Sequence, residues 1–342
     1  MWRYIVRRLL ALPILLFGIS LLIFAMLQFL SPYERASLYV SDIPKRQGDM
    51  EALIRKYGLD RPLYEQYLRW VGNVVKGDLG FSKRGKRPVS EAIAHLFPAT
   101  LELTLWSGIP IIWIGISLGV LSAVHQNRWI DQVTRVFAIV GWSFPTFVFG
   151  LLLLMIFYAK LGWFPAGRLS EWAAQVVQSD AFRAYTGMNT VDALLNGRLD
   201  VFVDALRHIV LPAITLSYLS WALILRVTRS SMLETLRQDY VTTARAKGLS
   251  EREVVNRHAK PNALLPVVTI GGLNLIMLLN GVVITETIFN YRGMGWFFAD
   301  AALHLDVITI LGFTLFNAVI LVLGNLAVDV LYAVIDPRVR LT

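Results

Sequence analysis

The residues of this chain that could do chemistry are few and scattered. Five histidines, His95, His125, His208, His258 and His304, stand near the ends of apolar runs or in polar stretches, and their spacing forms no metal-ligand cluster. There is no cysteine, which excludes disulfides, thiolate metal sites and a thiol nucleophile. No HExxH occurs. Gly80 to Lys86 reads GFSKRGK and fits GxxxxGK, the pattern of a phosphate-cradling loop. That loop needs Ser or Thr next, for magnesium, and a helix that begins there; this chain has Arg87 and Pro88. The pattern therefore does not read as a nucleotide site. Glu286, near the end of an apolar run, is the most suggestive carboxylate. At membrane depth an ionisable group is a functional candidate by default, whereas at a span end it reaches water or a backbone partner. Pro145, inside the run Gly141-Trp-Ser-Phe-Pro145, kinks a span, and the kink either is satisfied by neighbouring helices or lines a pathway.

These residues hang on long apolar elements. The chain has 342 residues, 56% hydrophobic and 17% charged, with mean hydropathy +0.55, and the apolar excess lies in blocks. The blocks run over about Leu9–Leu30, Leu101–Val124, a stretch ending near Tyr158, Ile209–Val227, Leu264–Phe289 and Val307–Ile335. The expectation is an all-α polytopic membrane protein with six transmembrane helices. Residues 1–30 form an anchor, since the apolar run after Arg3, Arg7 and Arg8 is long and lacks a small-residue cleavage site. Residues 31–97 form a polar segment, with a short amphipathic helix around Leu63, Tyr64, Tyr67, Leu68 and Trp70 lying against the membrane or another subunit. Residues 98–342 form a five-helix core, interrupted by polar stretches at about 160–207 and 228–263. Gly115-x-x-x-Gly119 lets another helix approach closely. Asn274, Asn280, Asn317, Asn325 and Asp329 are interhelical hydrogen-bond candidates.

The net charge of +9 raises nucleic acid as a partner, but the basic residues flank apolar runs, and membrane orientation explains them better. Six spans put both termini on one side. Counting Lys and Arg gives 15 on the side of the termini and 18 on the other, against the positive-inside rule as it stands. The 31–97 segment holds 12 of those 18 and exceeds the loop length, about 60 residues, beyond which charge has little influence. Without it the termini and residues 228–263 are cytoplasmic, and 31–97 and 160–207 face outward.

The most patterned polar stretch is Tyr240–Pro266, YVTTARAKGLSEREVVNRHAKPNALLP. Leu233, Leu236, Tyr240 and Ala244 fall at helical spacing. Arg245 and Lys247 then precede Gly248, as at a helix end. Ser250 and Glu253 form a capping box that starts a second helix, and Pro261 is expected to end it. Two short helices at a sharp turn, held at a membrane surface, make a shape that another protein can grip.

The stretch resembles the EAA loop of permease subunits of binding-protein-dependent ABC importers, most closely the dipeptide/oligopeptide branch. The matching residues are Tyr240-Val241-x-Thr243-Ala244-Arg245-Ala246-Lys247-Gly248-Leu249-Ser250, then Arg257-His258-Ala259 and Asn262-Ala263-Leu264-Leu265-Pro266. The Glu that names the loop is Thr242 here, as is usual in the peptide branch. YGLDRPLYEQYLRW, GDLGFS, PATLELTL, the Glu286-Thr-Ile-Phe289 and Gly293-x-Gly295 motif, and the closing Asp336-Pro-Arg-Val-Arg340 extend the resemblance over nearly the whole chain. It implies the type I ABC importer permease fold in a prokaryotic plasma membrane. It implies that Tyr240, Thr243–Ser250, Glu253 and His258 dock onto an ATPase subunit, and that Glu286, Phe289, Gly293, Gly295 and Pro145 lie at an outer mouth or pathway. The implied partners are a second, related permease chain, two ATPase subunits that bind ATP and magnesium, and an extracytoplasmic binding protein. This chain itself holds no cofactor and catalyses nothing. Short peptides are the implied substrate, with oligosaccharides and nickel chelates as alternatives. The 160–207 stretch is longer than the branch leads one to expect. Two other classes fit less well: an integral-membrane enzyme lacks its residues, and a secondary transporter would show inverted repeats and have no use for the loop.

Overall fold

A computed structural model describes residues 2–37, 39–40 and 47–335. The closing Asp336–Arg340 motif lies outside them. The apolar runs become helices because a chain in hydrocarbon must satisfy its backbone internally. Helix α1 (Trp2–Leu27) is the anchor, and α2 (Pro32–Ser37), α3 (Gln47–Tyr57) and α4 (Leu63–Val75) build the polar segment after it. The amphipathic helix expected there rests on the chain's own first span. Tyr67 of α4 packs edge-on to Phe17 and Phe24, and its hydroxyl lies 2.8 Å from Ser20 Oγ. Leu63, Tyr64 and Leu68 stay exposed.

The GFSKRGK pattern folds as a hairpin, β1 (Phe81–Ser82) antiparallel to β2 (Arg87–Pro88). Its donors are already taken by a carboxylate of the chain itself. Ser82 Oγ and the Arg84 N–H donate to Asp306 Oδ2 at 2.8 and 3.0 Å.

Helix α5 (Val89–Val124) has 36 residues, about 54 Å at the α-helical rise, against a hydrocarbon core of about 30 Å, so it projects beyond the membrane. The third span is not one helix. Helices α6 (Trp129–Ser143) and α7 (Thr146–Leu153), the latter prolonged by a π-helical stretch to Lys160, meet at 100°. Pro145 lacks a backbone donor and forces Phe144 into an extended conformation, ψ 126°, which ends α6 there. Helices α8 (Glu171–Val177) and α9 (Asn189–Leu195) enclose a small core of Ala173, Phe182, Ala193 and Val201 within 160–207.

Helix α10 (Leu199–Thr235) packs along α5, and the expected close approach occurs here. A Cβ on Gly115 would stand 2.7 Å from Ile224, and one on Gly119 2.5 Å from Thr228. Gly115-Ile-Ser-Leu-Gly119 also fits GxSxG, but Ser117 sits in mid-helix and not on the strand-to-helix turn that a nucleophile elbow requires.

Then follow α11 (Asp239–Ala246), α12 (Glu251–Glu253), a π-helical turn over Val254–Ala259, and α13 (Lys260–Ala263). Pro261 does not end this helix. It occupies the first turn of α13, where a missing donor costs little, and the π-helical turn before it relieves the ladder. The chain bends by only 55° into α14 (Leu265–Leu279). The fifth span is shorter than expected. It breaks at Asn280–Val282 before α15 (Val283–Ile288), and the last turn of α14 is secured when Asn317 Nδ2 donates to the Asn280 carbonyl at 3.2 Å. The expected Gly-rich turn after it leads into a further helix, α16 (Met294–Leu303), and α17 (Val307–Ile335) completes the described chain. Among the described residues, four helices are long and apolar enough to cross a membrane, and the two bent pairs bring the number to six. One end of the bundle carries α11–α13. The opposite end carries the hairpin, α8, α9, α15 and α16.

Candidate functional site

At the first end, the segment Asp239–Ala263 lies on the termini of α5 and α10. Val241, Ala244, Val254, Val255, Ala259 and Ala263 are buried with Ala123 and Met232. The long helix α10 already includes Leu233, so the first short helix is narrower than the sequence suggested. Its buried stripe is Val241 and Ala244, while Tyr240 is 43% exposed. Ala244 is thus turned toward the chain's own spans. Thr243, Arg245, Ala246, Lys247, Gly248, Leu249 and Ser250 are exposed beside Tyr240, with Glu253 and His258 half-buried.

The turn between the helices is tightly specified. Gly248 has φ +76°, the left-handed region that glycine alone enters freely. The capping box is complete: Ser250 Oγ accepts from the Glu253 N–H, and the Ser250 N–H donates back to Glu253 Oε2. The Ser250 hydroxyl, and after it the Ser250 N–H, hold the Glu253 carboxyl below its ordinary pKa. Its contribution is present above the unfolded pKa and lost as pH falls through the depressed one, so the cap is intact at neutral pH. Arg245 spans the turn, pairing with Glu251 at 2.9 Å and reaching the Leu236 carbonyl. The segment is therefore a rigid, cationic prominence.

Just inside it, Asp131 is fully buried at the start of α6. It accepts two hydrogen bonds from Arg229 of α10, both 2.8 Å, with others from Ser122 Oγ and the Asn127 N–H.

At the opposite end Glu286 is fully buried. Thr100 Oγ1 donates to its Oε1 at 2.8 Å and the Trp296 N–H to its Oε2 at 2.7 Å. Glu286 thus has one side-chain and one backbone donor within the chain. Gly293 and Gly295 serve close approach. A Cβ on Gly293 would lie 2.5 Å from Thr100 Oγ1, and one on Gly295 2.8 Å from the Val283 nitrogen. Phe289 does not line a mouth; it is 1% exposed and packs beside Gly150 in the main core. Pro145 lies apart from this group, exposed at the α6–α7 bend. Phe144 and Phe149 on either side of it wall an apolar cavity of about 840 Å³, together with Trp106, Tyr218 and Trp221.

The central residue of this end is one that the sequence reading passed over. Glu102, 2% exposed in α5, accepts from the Thr190 N–H at 2.6 Å, Thr190 Oγ1 at 2.8 Å, the Tyr291 hydroxyl at 2.8 Å and Arg168 Nη2 at 3.0 Å. It joins α5 to the 160–207 stretch and to the segment after α15. A glutamate inside the apolar run PATLELTL was the available signal. Among the described residues no cluster of acids and histidines is placed to hold a metal.

A family model described as the binding-protein-dependent transport system inner membrane component matches residues 115–341, and its N-terminal counterpart matches residues 1–104. The chain is 41% identical over 341 residues to the probable D,D-dipeptide transport system permease protein DdpB of Escherichia coli K12, covering 99% of this chain and 97% of that one. It is 42% identical over 340 residues to the oligopeptide transport system permease protein AppB of Bacillus subtilis 168, covering 98% and 99%. To the di/tripeptide transport system permease protein DppB of Pseudomonas aeruginosa it is 40% identical over 340 residues, covering 99% of each. Among solved structures, an inward-facing form of the MetNI methionine ABC transporter is similar in fold, with TM-score 0.51 at 15% identity over 71% of this chain and 96% of that chain.

Proposed function

Because the chain belongs to the family of binding-protein-dependent transport system inner membrane components, we propose that it is a non-catalytic permease subunit of an ATP-driven importer of short peptides. It is a multi-pass membrane protein: four helices are long and apolar enough to span, and the bent α6–α7 pair and α14, which α12–α13 enter at a 55° bend, bring the spans to as many as six. The peptide substrate is supported by relatives named for dipeptide, oligopeptide and di/tripeptide transport. Both termini and α11–α13 lie in the cytoplasm; the hairpin, α8, α9 and α16 lie outside. A second, related permease chain completes the pathway, two ATPase subunits bind ATP and magnesium, and a binding protein delivers substrate to the outer end.

The observation that carries this reading is the rigid prominence of α11–α13. Closure of the ATPase subunits moves it as one body, since Arg245–Glu251 and the capping box fix the angle between its helices. Burial of Val241, Val254 and Ala259 against α5 and α10 passes that movement to the spans. Tyr240 and Leu249 are the exposed apolar anchors of the contact. An aromatic anchor of this kind contributes about 2 kcal/mol or more, about thirtyfold in affinity. The test is copurification and peptide uptake in proteoliposomes. Tyr240→Ala with Leu249→Ala should insert normally yet lose most of the ATPase subunit and the uptake. Full retention of both would sink the proposal.

A further inference from the structure

The outer end holds a cationic feature that the proposed transport cycle leaves unused. The turn of the β1–β2 hairpin reads Lys83-Arg84-Gly85-Lys86-Arg87, four cations in five residues. It is not a loose loop. Its amide and hydroxyl donors hold the buried Asp306 carboxylate, the Gly85 N–H donates to Ser82 Oγ at 2.8 Å, and the Arg84 side chain bonds Asp300 of α16 at 2.6 Å. Gly85 abuts Phe297, so the hairpin lies on α16, whose Trp296 N–H bonds Glu286. Lys83, Lys86 and Arg87 are exposed and, among the described residues, make no ion pair. Arg292, stacked over Trp296 and also exposed, adds to the same surface. The nearby acids are Asp300, paired with Arg84, and the exposed Asp78 and Glu91.

Two arguments say that this charge meets a partner. Membrane orientation does not call for these cations, because they lie in the 31–97 segment, whose length leaves its charge little influence on topology. The Asp306 and Asp300 bonds also hold the turn in one conformation, which a merely solvated loop does not need. Anionic lipid is the weaker occupant, because the surface potential that attracts polybasic segments belongs chiefly to the cytoplasmic leaflet. We propose that Lys83, Lys86 and Arg87 form a docking surface for an acidic face of the extracytoplasmic binding protein, steering it to the outer end beside α16. This rests on the importer reading above.

Rim charges of this sort act mainly on the rate of encounter and on its salt dependence. The experiment measures binding of the purified, copurifying binding protein to the complex in nanodiscs, comparing wild type with Lys83→Glu/Lys86→Glu/Arg87→Glu. At low salt the variant should bind at least about tenfold more weakly, chiefly through slower association. The gap should close near 1 M salt, where the screening length is about 3 Å. Equal binding by the variant, or a salt-independent deficit, overturns the docking surface. So does a deficit that appears only when phosphatidylglycerol is present, since that assigns the hairpin to lipid. No binding by the wild type would instead sink the importer reading itself, which keeps the two failures distinct.

Discussion

Gly248 and Glu102 are opposite cases at the scale of single residues. At Gly248 a Cβ would meet no atom within 4 Å, so the cost of a side chain is conformational alone, about 1–2 kcal/mol and more for a β-branched residue. Gly248→Val should insert normally but misdirect α12, weakening peptide-stimulated ATP hydrolysis; Gly248→Ala should be milder. Subunit stoichiometry and hydrolysis in proteoliposomes are the readouts, and normal coupling in the valine variant would reduce the segment to a connector. Glu102 fixes Arg168, so Glu102→Ala leaves a largely buried guanidinium with the Gly187 carbonyl but no carboxylate, at about 3–5 kcal/mol. A lowered melting temperature and rapid proteolysis within 160–207 are expected; an unchanged melting curve would contradict the role of the cluster. The turn at Gly248 was readable because its signals lie within a few residues. The Glu102 partners lie 66, 88 and 189 residues away, and no local pattern announces them.

At the scale of elements, hydropathy located the runs but not their breaks. The third and fifth apolar stretches look continuous because the residues at the breaks, such as Phe144 and Val282, are themselves apolar. Pro145 was visible as a kink, yet its 100° amplitude depends on how α10 and the Phe149–Tyr218 contact receive α7. The hairpin at 81–88 was recognisable only as something other than a phosphate loop, since Asp306 stands 224 residues from Ser82. Lys86→Ala should accordingly leave nucleotide binding by the complex unchanged, and a large loss of that binding would restore the discarded reading. The clasp between α6 and α10 makes an asymmetric prediction. Arg229→Ala strands a fully buried Asp131 and should cost about 3–5 kcal/mol. Asp131→Asn keeps the acceptor shape while Arg229 remains partly solvated, so it should cost less. Thermal unfolding in detergent compares the two, and the reverse order would refute the clasp.

For the whole molecule, the absence of cysteine makes the orientation directly testable. A cysteine at the exposed Ser179 should react with an impermeant reagent on intact cells, and one at the exposed Ser250 only after lysis. Ser82 is a poor reporter despite its place in the same outer end, because it is fully buried against Asp306. Labelling of Ser250 from outside would invert the molecule.

One break has a consequence for the membrane around it. Helix α14 has 15 residues and spans about 22 Å, some 8 Å short of a hydrocarbon core of about 30 Å. The non-helical backbone at Asn280–Val282 therefore begins below the lipid headgroups, where it is tolerated only inside protein or beside water. The side-chain oxygens of Asn280 and Asn317, both without a partner among the described residues, favour water. Water is therefore expected at the break, and backbone amides at 281–283 should exchange deuterium well ahead of those in the middle turns of α14. Equal protection would mean that the break is dry.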